Sequence, residues 1–402
     1  MRGDSAPITC PGCGLGGVDV FYRVAGVPVN STLQLSSRRE ARELATGTLA
    51  LGFCHSCGFI HNTAFDPTLT EYSSRCEETQ GFSPVFSRWQ GELARRLVER
   101  HDLRGREIIE IGCGKGDFLN ALCEIGGNRG IGFDPAYVPE RNTSPARDRI
   151  KFIREFYTAE NAPESGDFIV CKMTLEHIPR AADFVRMVRA SLGDRRDVVV
   201  FFQVPDMRRI LDEAAFWDLY YEHCSYFDKA SLCGLFQRSG FEVQDLESDY
   251  GGQYLMLEAT PGSAHVKAPA THADEVRRIA ADVAGFRERA PRLMDSWRGR
   301  LAGWKVEGRA VAVWGSGSKG VAFLTSLGIG DEVRCVVDIN PHRAGHFMAG
   351  SGHPIVTPRS LIRDPVDKVI LMNPVYLDEV QSLLGEMGLN NIEVVSVTRR
   401  IR

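Results

Sequence analysis

The densest cluster of chemistry-bearing side chains in this 402-residue chain is the stretch Tyr220 to Asp228, YYEHCSYFD. Glu222 and His223 stand side by side, with Tyr220, Tyr221 and Tyr226 around them. An imidazole with an ordinary pKa near ~6.5 suits a base at cellular pH, which makes His223 the candidate base and Glu222 its neighbour in the same chemistry. The competing reading is a half-buried helix start, with packed tyrosines and an exposed Glu-His pair. A second histidine, His177 in LEHI, either joins this chemistry or caps the helix expected from PRAADFV.

Two further groups stand out. Cys10/Cys13 (CPGCG) and Cys54/Cys57 (CHSCG) are CxxC pairs, and each is followed by a glycine that lets the backbone turn. Two such knuckles can close a tetrahedral zinc site; with all four corners filled by protein, the ion would be structural. The alternative is four unrelated buried cysteines. The other group is REIIEIGCGKGDFLNALCEIG, where Gly112, Gly114 and Gly116 follow an apolar strand and open a helix. The next strand ends at Asp134, 22 residues after Gly112, where a carboxylate can hold ribose hydroxyls. Glu110 just before the glycines and Asp117 just after them disfavour a pyrophosphate and suit a cationic amino-acid group. EIGCGKG resembles the first motif of class I methyltransferases, which bind S-adenosylmethionine (SAM); another adenine cofactor on a Rossmann-like domain is the alternative.

The elements that must position these groups alternate strand and helix. A helix is expected from about Trp89, strands at Ile108–Ile111, RGIGFDP, KFIREFY, DFIVCKM and DVVVFFQVPD, then a helix and two antiparallel strands ending in GQYLMLEA. Ligands of an open α/β sheet lie beyond the carboxyl ends of its strands. That rim carries Glu110, Gly112, Gly114, Gly116, Asp134, Phe156 and Met173 as expected cofactor contacts. Asp206 after QVP reads as a turn former. Ala259–Glu275, rich in Pro, Ala, Ser and Thr, reads as a linker, and the long amphipathic segment after it as a helix, interrupted at Pro291. A second strand-glycine-helix follows, with Gly315, Gly317 and Gly320 in G-x-G-x-x-G register and Asp338 at the next strand tip. Arg343 beyond it is placed to pair with a diphosphate. SGHPIV, with His353, is a candidate cleft loop.

Composition sets outer limits. Hydrophobic residues make up 43% and charged residues 25%, as in a globular protein. The net charge of −4 gives no global basic field for nucleic acid or an anionic membrane. No apolar run reaches the ~18 residues of a membrane span, and the N-terminus lacks a signal-peptide core, so a cytoplasmic location is expected. Eleven cysteines in this length fit thiolate or metal chemistry better than a disulfide scaffold. The basic end RRIR is too short for a nucleic-acid patch.

Taken together, the Cys pairs, EIGCGKG, LEHI, YYEHCSYF, VWGSGSKGVAFL and VVDINPHRAGHFMAGSGHPI resemble the sugar C-methyltransferase family, whose members methylate a carbon of TDP-linked keto-deoxysugars. The resemblance covers almost the whole chain. It implies an α/β protein with a zinc-binding domain (1–70), a central class I SAM methyltransferase domain (71–260) and a C-terminal Rossmann-like substrate-binding domain (261–402). It also implies a substrate in the cleft between the last two, a structural Zn2+, and a nucleotide-sugar partner; a monomer is compatible with it. Tyr220, Glu222, His223 and His177 match the family's catalytic tyrosine, Glu-His pair and second histidine. Methylation at carbon needs a base and an enolate stabiliser: His223 takes the first role, Glu222 orients it or holds a substrate hydroxyl, and Tyr220 and His177 polarise the carbonyl or pass the proton on. Tyr72, Lys319, Asn340, Arg343 and His353 are the expected substrate contacts. Cys76 departs from the pattern, standing where similar sequences often carry tyrosine. Competing readings are an O- or N-methyltransferase, an NAD-dependent sugar oxidoreductase built on Gly315 to Asp338, and a zinc-stabilised scaffold.

Overall fold

The computed structural model describes residues 8–163, 165–262 and 272–398. Its centre is a seven-stranded sheet ordered Phe241–Asp249, Tyr254–Pro261, Val199–Pro205, Phe168–Lys172, Glu107–Ile111, Arg129–Phe133, Ile150–Ile153. The last five are mutually parallel, while Tyr254–Pro261 runs antiparallel to both its neighbours. The strands in the middle of this sheet are apolar because helices cover both faces. Ile109, Ile111, Phe202 and Val204 face one core, while Ile108, Val170 and Phe201 face the other, beside Phe86 and Leu97 of the helix Pro84–Arg100 and Phe118 of Asp117–Gly126. The helix expected from Trp89 starts at Pro84: Ser83 caps it through Phe86 N, and proline suits the first turn.

A five-stranded parallel sheet, Ile355–Val356, Cys335–Val337, Val311–Trp314, Lys368–Leu371, Glu393–Ser396, forms the C-terminal unit. The N-terminal segment builds a four-stranded sheet from Val18–Pro28, Thr46–Cys54, Ile60–Asn62 and Ser225–Tyr226. The last of these belongs to the YYEHCSYF stretch, which is therefore no helix start. Ile60 pairs with Tyr226 and His61 with Ser225, and the helix begins only at Lys229, capped by an Asp228–Ser231 capping box. Asp206 caps the helix Met207–Glu213 through Arg208 N, in keeping with its expected turn role.

The helix His272–Val306 runs through Pro291 without a break, against expectation. Proline in a helix interior costs ~3 kcal/mol or more. Here Val276, Ile279, Val283, Phe286, Ala290, Trp297 and Leu301 bury one face against the N-terminal sheet and the C-terminal unit, at ~1.5–3 kcal/mol for each large side chain. That burial outweighs one lost bond. The expected linker appears only at its ends, as the strand to Pro261 and the helix from His272; residues 263–271, like 399–402, lie outside the described residues. No helix among the described residues is long and apolar enough to cross a membrane.

Candidate active site

The glycine loop after Glu107–Ile111 has Gly112, Gly114 and Gly116 at φ of 72°, 54° and 86°, which side chains rarely adopt. A Cβ on Gly112 would lie 2.0 Å from Thr174 Oγ1, so this position is closed to larger residues twice over. Asp134 braces the loop: Oδ2 accepts from Gly114 N at 2.8 Å and Oδ1 from Ala136 N at 2.7 Å. The surroundings are acidic. Burial pushes Glu110 up to about 8, against the pull of Lys172, and Glu78 up to about 7, against Lys115; Asp117 and Asp134 are also raised by burial. Lys115 donates to the carbonyls of Cys76 and Ala136 at 2.8 Å each, and its ammonium lies 3.4 Å from Glu78 Oε1. One oxygen of buried Glu110 has no partner among the described residues. Such a set fits a ligand with positive charge and not a pyrophosphate. At the rim, Phe156 is exposed and meets the Tyr72 ring edge-on, with centroids 6.1 Å apart. Met173 sits at a left-handed φ of 53°, its N–H donating to Gln203 O.

Two loops beyond this sheet are stitched together by backbone and side chain. Cys224 N donates to Glu176 O at 3.0 Å, and Ser225 Oγ to Ile178 O at 2.8 Å. The stitching brings His177 and His223 together, with ring centroids 4.8 Å apart and perpendicular. Tyr220 lies against His223 at 4.1 Å, and Tyr72 OH is hydrogen-bonded to His177 Nδ1 at 2.9 Å. Burial lowers His177 to about 4 and His223 well below its ordinary value, so both rings are neutral near pH 7. Burial raises the phenols of Tyr72 and Tyr220 well above their usual range, so both stay protonated and able to donate a hydrogen bond. The result is a neutral imidazole able to accept a proton, ringed by groups able to donate hydrogen bonds.

Glu222 is not exposed, and it does not serve His223. Its carboxylate accepts from Ser31 N at 2.9 Å, from the Ser31 hydroxyl and from Asn30 Nδ2 at 3.3 Å, all from the N-terminal segment. The acid beside His223 is Glu176, whose Oε1 is 3.9 Å from His223 Nε2. Glu176 is fully buried, and neither oxygen has a hydrogen-bond partner among the described residues.

The C-terminal glycine loop forms the facing wall. The hydroxyls of Ser318 and Ser31 are 2.7 Å apart, and Lys319 pairs with Asp218, which also takes Arg209. Asn340 Nδ2 donates to Glu77 Oε1 at 2.9 Å, and Arg141 holds the same carboxylate. Arg343 is not presented to a diphosphate: its guanidinium donates to Ser316 O at 2.8 Å and to the Glu77 carbonyl. His353 leaves the cleft, with Nε2 on Gly330 O at 2.7 Å, because its loop packs on Arg38 and Arg42. Cys76 directs its thiol to Glu71 O at 3.6 Å and pairs by backbone with Leu33.

Residues 84–246 match the model of a methyltransferase domain, and residues 260–396 match that of a C-methyltransferase C-terminal domain. The C-methyltransferase NovU of Streptomyces niveus is 30% identical over 307 residues, which are 72% of this chain and 71% of that protein. The chain belongs to the C-methyltransferase family. It is a SAM-dependent methyltransferase. A tRNA U34 carboxymethyltransferase of Campylobacter hominis is 28% identical over 120 residues, 28% of this chain and 42% of that protein. Among solved structures, the dimethyltransferase RosA of Streptomyces davawensis aligns with a TM-score of 0.37 and 18% identity, over 44% of this chain and 55% of that one.

In this C-methyltransferase the four cysteines of the two knuckles converge, their sulfurs all within 4.8 Å of one another. Cys10 and Cys57 sulfurs are 3.7 Å apart, those of Cys13 and Cys54 3.8 Å. A tetrahedron with Zn–S near ~2.3 Å has edges of about that length. Gly14 and Gly58 make the expected left-handed turns at φ of 76° and 75°. The sequence reading missed Glu176, Asn30, Ser31, Asp218 and Glu77. Glu176 alone carried a signal, since it adjoins His177 in LEHI; the others come together only through contacts between distant segments.

Proposed function

We propose that the enzyme C-methylates a nucleotide-linked keto sugar, or a similarly activated ketone, by base-assisted enolate formation. The observation that carries this reading is the neutral, buried His223 imidazole packed against Tyr220 and His177. A proton beside a ketone is too weakly acidic to leave unaided at neutral pH, so a base and a stabilised oxyanion are both required. His223 takes the proton from the carbon next to the carbonyl. The C–H electrons pass onto the carbonyl oxygen, which accepts a hydrogen bond from the Tyr220 phenol. Tyr72, paired with His177, supports the same oxygen and the adjoining hydroxyl. SAM supplies an electrophilic methyl group to the carbon so activated. Glu110, the glycines at 112, 114 and 116, and Asp134 hold it, and the acids around the loop favour its positive charge. The four-cysteine cluster holds a structural zinc ion that fixes the N-terminal segment, from which Asn30 and Ser31 reach Glu222. The likeness of E-H-x-x-Y-F and GSGHPI to the sugar C-methyltransferases supports the sugar class. The three units are read as 1–70, 71–260 and 261–402. The oxidoreductase reading is disfavoured, because the polar groups of Ser316, Ser318 and Arg343 engage the protein's own residues.

The test is a mass-spectrometric screen of keto-sugar nucleotides with SAM, looking for gain of one CH2, alongside uptake of solvent deuterium beside the ketone without SAM. His223→Asn should lose both activities by about 10²–10⁴-fold while still binding SAM. Methylation without deuterium uptake in the native enzyme would move the reaction to oxygen or nitrogen.

A further inference from the structure

We infer that Glu176 is the positioning residue of His223: it holds the Nε2–H edge of the ring and leaves Nδ1 free to take the substrate proton. The inference rests on His223 being the base. Sequence adjacency points to Glu222 for this task, but Ser31 and Asn30 take that carboxylate. Glu176 lies 3.9 Å from His223 Nε2, and its oxygens have no other partner among the described residues. A fully buried acid with no hydrogen bond is costly, ~1–3 kcal/mol or more for each unmet group. A neighbour that can meet the need explains its presence. Distances of this kind tighten when substrate fills a site. The geometry is not incidental, because the Cys224 N to Glu176 O bond ties the two loops at the residues concerned.

The charged groups around the pair agree with this assignment. Burial raises Glu176 to about 8, while Lys172 draws it down. Burial, with His177 and Lys319 nearby, lowers His223. The resting pair is therefore a protonated carboxyl beside a neutral imidazole, with no buried net charge. When His223 accepts the proton from the substrate carbon, a new N–H forms at Nδ1 and the C–H electrons remain with the enolate. The imidazolium then faces Glu176, whose carboxyl oxygen accepts the Nε2–H and stabilises that charge.

The experiment is ¹⁵N NMR of the full chain labelled at histidine, with His223 assigned by its Asn variant, in wild type, Glu176→Gln and Glu176→Leu. The expected wild-type spectrum shows His223 as the Nε2–H tautomer, with shifts that follow a titration near pH 8 as Glu176 ionises. Glu176→Gln keeps the tautomer and loses that titration, and Glu176→Leu yields a mixture of tautomers. An Nδ1–H ring in the wild type, or a titration near pH 8 that persists in Glu176→Gln, overturns the inference. With a methyl-accepting ketone in hand, Glu176→Leu should lower kcat about 100-fold with KM little changed. The spectra need no substrate, so they test the Glu176–His223 pairing separately from the sugar screen, whose failure would remove the proton-accepting role of His223 but not the pairing.

Discussion

The chain contains the same device twice, an apolar parallel strand running into a glycine loop and a helix, and uses it in opposite ways. In both, an acid at the tip of the neighbouring strand braces the loop: Asp134 accepts from Gly114 N, and Asp338 from Ser316 N and Asn340 N. In both, the loop opens beyond the carboxyl edge of its sheet. The central loop is flanked by Glu78, Glu110, Asp117 and Asp134, with its own Lys115 turned to backbone carbonyls. The C-terminal loop gives its groups to the protein: Ser318 to Ser31, Lys319 to Asp218, and Ser316 to Arg343. On the proposed function, one loop is the receptor and the other a wall. The motif sets where a ligand could sit, and the segments packed against it decide whether one does.

Four experiments bear on this contrast. The largest effect is expected from Gly112→Ala. Left-handed strain of ~1–2 kcal/mol adds to ~1–3 kcal/mol for crowding against Thr174. SAM affinity, measured by calorimetry, should fall on the order of 100-fold; unchanged affinity would deny the central loop its receptor role.

Lys319→Met comes next. Orphaning a buried ion costs ~3–5 kcal/mol, but Asp218 keeps Arg209, so a loss of about 2–3 kcal/mol in urea unfolding is expected. Intact stability with loss of substrate binding would instead make the C-terminal loop a receptor.

A smaller effect concerns pH. Burial holds Glu110 at about 8, above an ordinary value near ~4.3. The folded chain therefore keeps a proton that the unfolded chain has released, and this contribution to stability falls as pH rises from about 5 through 8. A cationic ligand favours the ionised carboxylate, so SAM affinity should rise about tenfold from pH 6 to 8, with proton release. Calorimetry on Glu110→Gln should show that slope flattened.

The smallest effect is expected from Gly317→Ala, whose φ is −71° and whose added methyl meets nothing within 4 Å. Stability should change by no more than ~0.5 kcal/mol, with methyl transfer intact. NADH fluorescence should show no saturable binding to either form. Tight NADH binding abolished by the alanine would erase the distinction between the loops.

Local pattern sufficed for much of this. The apolar runs, the glycines, Asp134 and the four cysteines lie in contiguous stretches, where period, turn chemistry and spacing act over a few residues. The parallel run of the central strands follows from alternation of strand and helix, while their spatial order does not. Pro291 misled because helix propensity is local, whereas the partners of the buried face that keeps this helix continuous belong to other parts of the chain. Arg343 and His353 misled for a related reason. Their types suit a ligand, but Glu77 and Gly330, which engage them, lie far away in sequence or on another loop.

The sequence alone determined the two strand-glycine-helix units, the paired cysteine knuckles and the presence of a Glu-His-Tyr cluster after the fifth central strand, because short-range geometry fixes all three. Tertiary structure alone decided which acid faces the imidazole, which arginine is engaged and which glycine loop gives its polar groups to the protein itself. These outcomes depend on hydrogen bonds and burial between segments up to 287 residues apart, such as Ser31 and Ser318. No local pattern encodes which of several chemically equal partners arrives first at a buried polar group.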